Sequence, residues 1–152
     1  MSNNNGIPVI EEILDGETVL ALILRHSYKV EGIKFLTPDS YSQQLGYMNR
    51  EKGYVINPHV HNSVVREVHY TNEVLLIKSG KVRVDFYGSS QNYRESRILH
   101  TGDVILLICG GHGFEMLEAS EIIEVKQGPY VGENDKTRFN PVQSDQVKLP
   151  ES

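Results

Sequence analysis

The chain has 152 residues, a formal net charge of -5 at pH 7, 13 glycines, 8 tyrosines and one cysteine. That length builds one ordinary hydrophobic core, and the acidic balance argues against nucleic acid or an anionic membrane as a partner. One cysteine excludes an intrachain disulfide and fits a reducing compartment, while the longest apolar runs, residues 19–24 and 104–109, are too short to span a bilayer.

The first residues, MSNNNG, are polar and have no basic stretch ahead of an apolar one, so no secretory signal is expected and a cytoplasmic location is the default. Residues 1–6 are read as a disordered tip. Two apolar runs follow, IPVIEEIL and TVLALILR, separated by Asp15-Gly16, which is a hairpin signal. The second run is apolar almost throughout, so a buried strand is expected there; a short helix is the alternative, because Leu and Ala are helix formers.

Gly32 precedes a short strand at residues 33–37, and Pro38-Asp39-Ser40 is turn chemistry. Residues 41–50 read as extended and carry Gln44, Tyr47 and Arg50. A turn at Glu51-Lys52-Gly53 then leads through Tyr54-Val55-Ile56 to Pro58 and His59. His59 and His61 are two residues apart, so on an extended strand their imidazoles point to the same side and can converge on one ion. Residues 62–72 are polar and irregular.

Residues 73–77 and 81–87 form the clearest predicted hairpin, with Ser79-Gly80 as its two-residue turn. The register sets Ile77 against Val82, Leu75 against Val84, and Glu73 against Phe86. Opposed residues share a face, which gives an apolar core face with one carboxylate at its end. An unpaired carboxylate there would be costly; a bound metal would remove that cost.

Residues 88–95 form a polar turn, 96–100 a short strand, and Thr101-Gly102-Asp103 another turn. Residues 104–109 read as a strand apolar on both faces. Gly110-Gly111-His112-Gly113 is permissive backbone around one histidine. Strands are expected at 114–117 and 121–126, and residues 141–152 read as a loose tail. Short strands with frequent glycine turns point to an all-β sandwich or barrel. No phosphate loop, CxxC pair or GxSxG element is present.

Pro58-His59-Val60-His61, followed by Glu73 and by Gly80 seven positions on, resembles the first cupin motif. Gly102-Asp103-Val104 through Gly110-Gly111-His112-Gly113-Phe114 resembles the second. The resemblance covers residues 54–126. It implies a cupin-type antiparallel jelly-roll barrel over residues 7–140, with N-terminal strands that pack across a homodimer. It also implies one divalent metal ion held by His59, His61, Glu73 and His112. Eleven residues separate His61 from Glu73, more than the motif usually has, and Glu67 and His69 inside that interval are the alternative ligands. The chain is also similar to small cupins of bacterial polysaccharide-biosynthesis gene neighbourhoods.

Three histidines and a carboxylate suit Mn, Fe, Co, Ni or Zn better than Mg or Ca. Gln44, Tyr47 and Arg50 are candidates for binding polar groups of a substrate, Arg50 through its planar fork. The leading expectation is a metal-dependent enzyme of isomerase or epimerase type acting on a small polar substrate such as a sugar or sugar nucleotide. An iron-dependent dioxygenase and a non-catalytic small-molecule-binding or regulatory cupin are the alternatives.

Overall fold

A computed structural model describes residues 8–151. They form ten β-strands and two short 3-10 turns, at Gly132–Asp135 and Ser144–Gln146. The strands are β1 (Ile10–Asp15), β2 (Thr18–Leu24), β3 (Gly32–Phe35), β4 (Gly46–Asn49) and β5 (Glu73–Ser79), then β6 (Lys81–Tyr87), β7 (Tyr93–His100), β8 (Val104–Leu107), β9 (Gly111–Met116) and β10 (Glu121–Lys126). The fold is therefore all-β, as expected, and every strand pairing is antiparallel. No helix among the described residues is long and apolar enough to cross a membrane.

The strands fall into two compact units, one reaching up to Ser27 and resuming at Tyr70, the other Tyr28–His69. The first unit carries a five-stranded sheet in the order β1-β2-β8-β5-β10 and a three-stranded sheet in the order β7-β6-β9. Neither sheet closes on itself. Their shared core takes Ile13, Leu20, Ala21, Ile23, Leu75, Ile77, Ile105 and Leu107 from the larger sheet, and Val82, Val84, Phe86 and Leu99 from the smaller. Burying each large side chain of this kind contributes about 1.5–3 kcal/mol.

The hairpin expected at Asp15-Gly16 is present, with Gly16 at φ 60° and a register shift between Ile13 and Leu14. The shift skips Leu20 of β2, so that Leu20 and Ala21 are both buried, while alternation along β1 puts Ile13 in the core and Leu14 at the surface. The second apolar run forms β2, a strand and not a helix. It is apolar on both sides because it is a central strand between β1 and β8.

The hairpin expected around Ser79-Gly80 is absent. β5 pairs with β8 and β10, while β6 pairs with β7 and β9. Gly80 (φ 91°) is a corner at which the chain leaves one sheet and enters the other. The expected shared face is nonetheless present, since Leu75, Ile77, Val82, Val84 and Phe86 all lie in the core. The two strands meet across that core and not along a ladder.

A second corner at Thr101-Gly102-Asp103 returns the chain to the larger sheet. Gly102 N donates to Ile77 O (2.7 Å) and Ile77 N donates to Asp103 O (3.0 Å). Asp103, 2 % exposed, anchors this corner. It accepts hydrogen bonds from Arg25 Nη1, from His26 N and from His100 N, each 2.9 Å. Arg25 also meets Glu11, which in turn meets Arg97.

The segment past Asn140, read as a tail, is bonded to the smaller sheet. Val142 N donates to the Tyr87 hydroxyl (2.9 Å), Lys148 N to the Tyr93 hydroxyl (2.8 Å), and Ser96 N to Lys148 O (2.8 Å). The Phe139 ring packs edge-on against Tyr87, with centroids 5.0 Å apart.

In the second unit β3 pairs with β4, setting Lys34 opposite Tyr47. Leu36 N continues that pairing by donating to Leu45 O (2.8 Å). Residues 56–69 contain no strand.

Candidate functional site

The first unit brings together Glu73, His112 and Lys126. Glu73 is the first residue of β5 and stands opposite Leu107 of β8 and Lys126 of β10. The residue before it fixes the strand's start. Asn72 N donates to Gln127 Oε1 (2.8 Å), its side-chain amide donates to Ile108 O (2.7 Å), and Gln127 N donates to Asn72 O (3.2 Å). Three strand ends are thus tied at one level. The alternation that buries Leu75 and Ile77 then turns Glu73 to the same interior side.

His112 comes from the other sheet. It is the second residue of β9 and stands opposite Phe86, a core residue. Its Nε2 lies 3.2 Å from Glu73 Oε2, and Lys126 Nζ lies 3.1 Å from Glu73 Oε1. Each carboxylate oxygen therefore faces one nitrogen donor. Beyond Lys126 stands Asp135, with Oδ2 3.9 Å from Nζ. Thr71 Oγ1 donates to Asp135 Oδ1 (3.1 Å).

Glu73 is 8 % exposed. Burial alone would raise its pKa; the hydrogen bond from His112, reinforced by Lys126, overcomes that and holds the carboxyl at about 2. The Lys126 ammonium is pushed up from its ordinary value, chiefly by its bond to Glu73. An ionised Glu73 only accepts hydrogen bonds, so the proton of a neutral His112 sits on Nε2 and Nδ1 is left as the basic nitrogen. The imidazole side chain is 30 % exposed and the Lys126 side chain 25 %, so both are partly open while the Glu73 carboxylate, at 10 %, is largely covered.

Glu73 and His112 supply one oxygen and one nitrogen donor of the kind a divalent transition metal takes. Among the described residues, no group of three or more His, Cys, Asp or Glu side chains is gathered where it could hold a metal ion.

The other residues singled out from the sequence belong to the second unit. His59 and His61 lie on irregular backbone and not on a strand. Their rings stand edge-to-face, centroids 5.3 Å apart, and His59 Nδ1 is 3.0 Å from Asn57 O. Glu67 and His69 face each other at 3.5 Å on exposed chain.

Gln44 holds its own loop together. Its Oε1 accepts from the Thr37 hydroxyl (2.7 Å), and its Nε2 donates to Pro38 O (2.8 Å) and Tyr41 O (3.0 Å). Tyr47 meets Tyr28 edge-on, with centroids 4.9 Å apart. The Arg50 guanidinium lies over the Tyr54 ring at 4.4 Å, a cation–π contact.

Sequence reasoning missed Lys126 and Asp135. The signal for Lys126 was a charged residue closing an apolar strand, as Glu73 opens one. Reading the two as partners required knowing that β10 pairs with β5. Asp135 lies in a polar stretch with no periodicity, and only the 3-10 turn brings it to Lys126. No family model, no curated protein and no solved structure matches the chain.

Proposed function

We propose that this chain is an enzyme of isomerase or epimerase type that moves a proton on a small polar substrate such as a sugar or sugar nucleotide. The observation that carries the reading is the buried Glu73 carboxylate facing the partly open His112 imidazole at 3.2 Å. In that pair Glu73 fixes the tautomer and the ring plane, and His112 Nδ1 takes the proton from the substrate. The imidazolium so formed is stabilised by the carboxylate, and the proton is returned from the same atom to the neighbouring carbon, which isomerises the substrate; epimerisation takes its second proton from water on the opposite face. Such a positioned acid–base group contributes about 10²–10⁴-fold to rate.

The test is turnover of a sugar and sugar-nucleotide panel by the wild type and by His112→Gln, both exhaustively chelated. The variant is expected to lose at least about 10²-fold in kcat. Equal turnover by the two proteins overturns the reading.

A second reading gives the same two residues to a divalent transition-metal ion, which Glu73 and His112 would hold through the oxygen and nitrogen that converge at 3.2 Å. When bound, such an ion supplies Lewis-acid polarisation of a substrate oxygen. Elemental analysis of untreated protein tests it: metal retained by the wild type and lost from Glu73→Ala supports it. Tightly held iron with substrate-dependent oxygen uptake points to the dioxygenase alternative. Saturable ligand binding with no product under any metal points to the non-catalytic one.

A further inference from the structure

We propose that this chain forms a twofold dimer in which residues 54–69 of each copy lie along the uncovered side of the other copy's packed sheets, at the free edge of β9. This interface does not depend on the acid–base role given above to His112.

The receiving surface follows from register. β9 ends the smaller sheet and pairs with β6 alone; β10 ends the larger sheet and pairs with β5 alone. Each strand leaves one edge of backbone N–H and C=O groups outside any ladder. Phe114 stands opposite Val84 and Met116 opposite Val82, and both valines are fully buried core residues. Opposed residues share a face, so Phe114 and Met116 lie on the core side of their sheet, yet they are 37 % and 49 % exposed. On β10, Glu124 stands opposite the buried Leu75 and is exposed as well. The core side of both edge strands is therefore uncovered.

Residues 54–69 are the chemical match for that surface. Residues 50–71 are exposed at every position, and among the described residues no backbone–backbone hydrogen bond involves residues 55–69. The stretch is nonetheless rich in β-branched side chains, which favour strands. Val55, Ile56, Val60, Val64, Val65 and Val68 are each about half exposed or more. With Phe114 and Met116 they offer roughly 500 Å² of apolar surface per copy. At the usual apolar share of an interface this corresponds to roughly 900 Å², and a stable complex needs about 800 Å² per partner.

Charge favours contact between unlike parts of two copies. Residues 28–69 carry five Lys or Arg and four Asp or Glu, a net +1, which leaves −6 on the rest of the chain. The receiving side carries Glu115, Glu118, Glu121 and Glu124, all exposed. Like parts set against each other would repel or gain nothing, whereas the reciprocal contact sets opposite signs together. A twofold axis makes that contact twice, so both uncovered surfaces of both copies are closed at once.

The test combines sedimentation equilibrium of the full chain with hydrogen exchange read by mass spectrometry. The wild type is expected to sediment at twice the chain mass at tens of micromolar, with amides of residues 55–69 exchanging at least about 10²-fold slower than free chain. Val60→Asp and Met116→Asp, one on each side of the contact, should each raise the dimer dissociation constant by at least about 30-fold and return residues 55–69 to free-chain exchange. Both positions are exposed, so neither new charge enters the chain's own core. Circular dichroism checks the fold, and Val64→Asp or Phe114→Ser replaces a variant that does not fold.

A monomeric wild type overturns the inference. Protection of residues 55–69 in a monomer places the stretch on its own chain and overturns it as well. A dimer that survives Met116→Asp, or one in which residues 55–69 exchange freely, is built on another surface and also overturns it. Neither turnover nor metal content enters these readouts, so the His112 reading can fail while this interface stands, and the reverse.

Discussion

Glu73 opens a strand of the larger sheet and His112 lies on the smaller one, yet Oε2 and Nε2 stand 3.2 Å apart across the space between the sheets. The contact ties the two layers together at one edge of their common core. Glu73→Ala removes the acceptor and leaves the Lys126 ammonium and the His112 imidazole without it. The expected cost is about 1–3 kcal/mol of unfolding free energy, the usual penalty for unpairing buried polar partners. Urea unfolding measures it as a lower midpoint at unchanged m. A variant with the wild-type midpoint would remove Glu73 from the list of groups that hold the sheets together.

The same carboxylate makes stability depend on acid. Its pKa is lowered from the ordinary 4.5 to about 2, so below the ordinary value the unfolded chain binds a proton that the folded chain does not. The contribution of ionised Glu73 is therefore complete above about pH 4.5 and is lost as pH falls toward 2. It amounts to something on the order of 2–3 kcal/mol. The measurement is the stability difference between chelated wild type and Glu73→Gln at pH 6, 4 and 2.5. That difference should shrink steadily on acidification; a difference independent of pH rules the linkage out.

The alternation Glu73, Leu75, Ile77 and Val82, Val84, Phe86 showed which side of each strand faces the core, and that side is the buried one. It did not show which strands pair, because period-two patterning reports a face and carries no information about the neighbour on the ladder. Two strands joined by a two-residue turn usually form a hairpin; here the turn is a corner, and the facing residues meet through the core. The placement of Glu73 on an interior face survived the wrong partner, because it depended only on the alternation. The Glu73–His112 contact lay beyond that argument, since it joins residues of different sheets. His59 and His61 illustrate the opposite case, a pattern legible as a strand on backbone that forms no ladder.

Gly80 turns the chain from one sheet to the other at φ 91°. A Cβ there would stand 2.8 Å from Ser120 Cα. Gly80→Ala therefore meets both an unfavourable left-handed backbone and a clash with the β9–β10 connection. The expected loss is about 1–3 kcal/mol, read as a lower thermal or urea midpoint. Gly16→Ala is the control: it has φ 60° with nothing within 4 Å of the added carbon, so it carries the backbone cost alone. Equal losses at the two sites would show that the corner is not sterically closed.

Asp103 sits 2 % exposed between Arg25 and two backbone N–H groups. Asp103→Ala strands the His26 and His100 amides and leaves Arg25 with Ile98 O and the Glu11 carboxylate as its partners. Breaking a buried ion pair from one side costs about 3–5 kcal/mol, well above the figure for Glu73→Ala. Side-by-side urea curves check the ranking, and a midpoint for Asp103→Ala above that of Glu73→Ala reverses it.

The segment after Asn140 makes a concrete local prediction, because Ser96 N donates to Lys148 O at 2.8 Å and Ser96 is fully buried. The Ser96 hydroxyl bonds Asp85 Oδ1 (2.5 Å) and the Tyr93 hydroxyl (2.8 Å), so a buried polar row lies along this sheet beside the segment. Removing residues 141–152 takes away the acceptor of the Ser96 amide and the backbone donors to the Tyr87 and Tyr93 hydroxyls. The Ser96 amide should then exchange with solvent at least about tenfold faster, a local opening eased by about 1.4 kcal/mol. Amides of the core strand β8 should change far less. Hydrogen exchange read by NMR distinguishes the two. An unchanged Ser96 rate would mean that the smaller sheet protects this amide without the C-terminal segment, and that the Asp85–Ser96–Tyr93 row is held by the sheet alone.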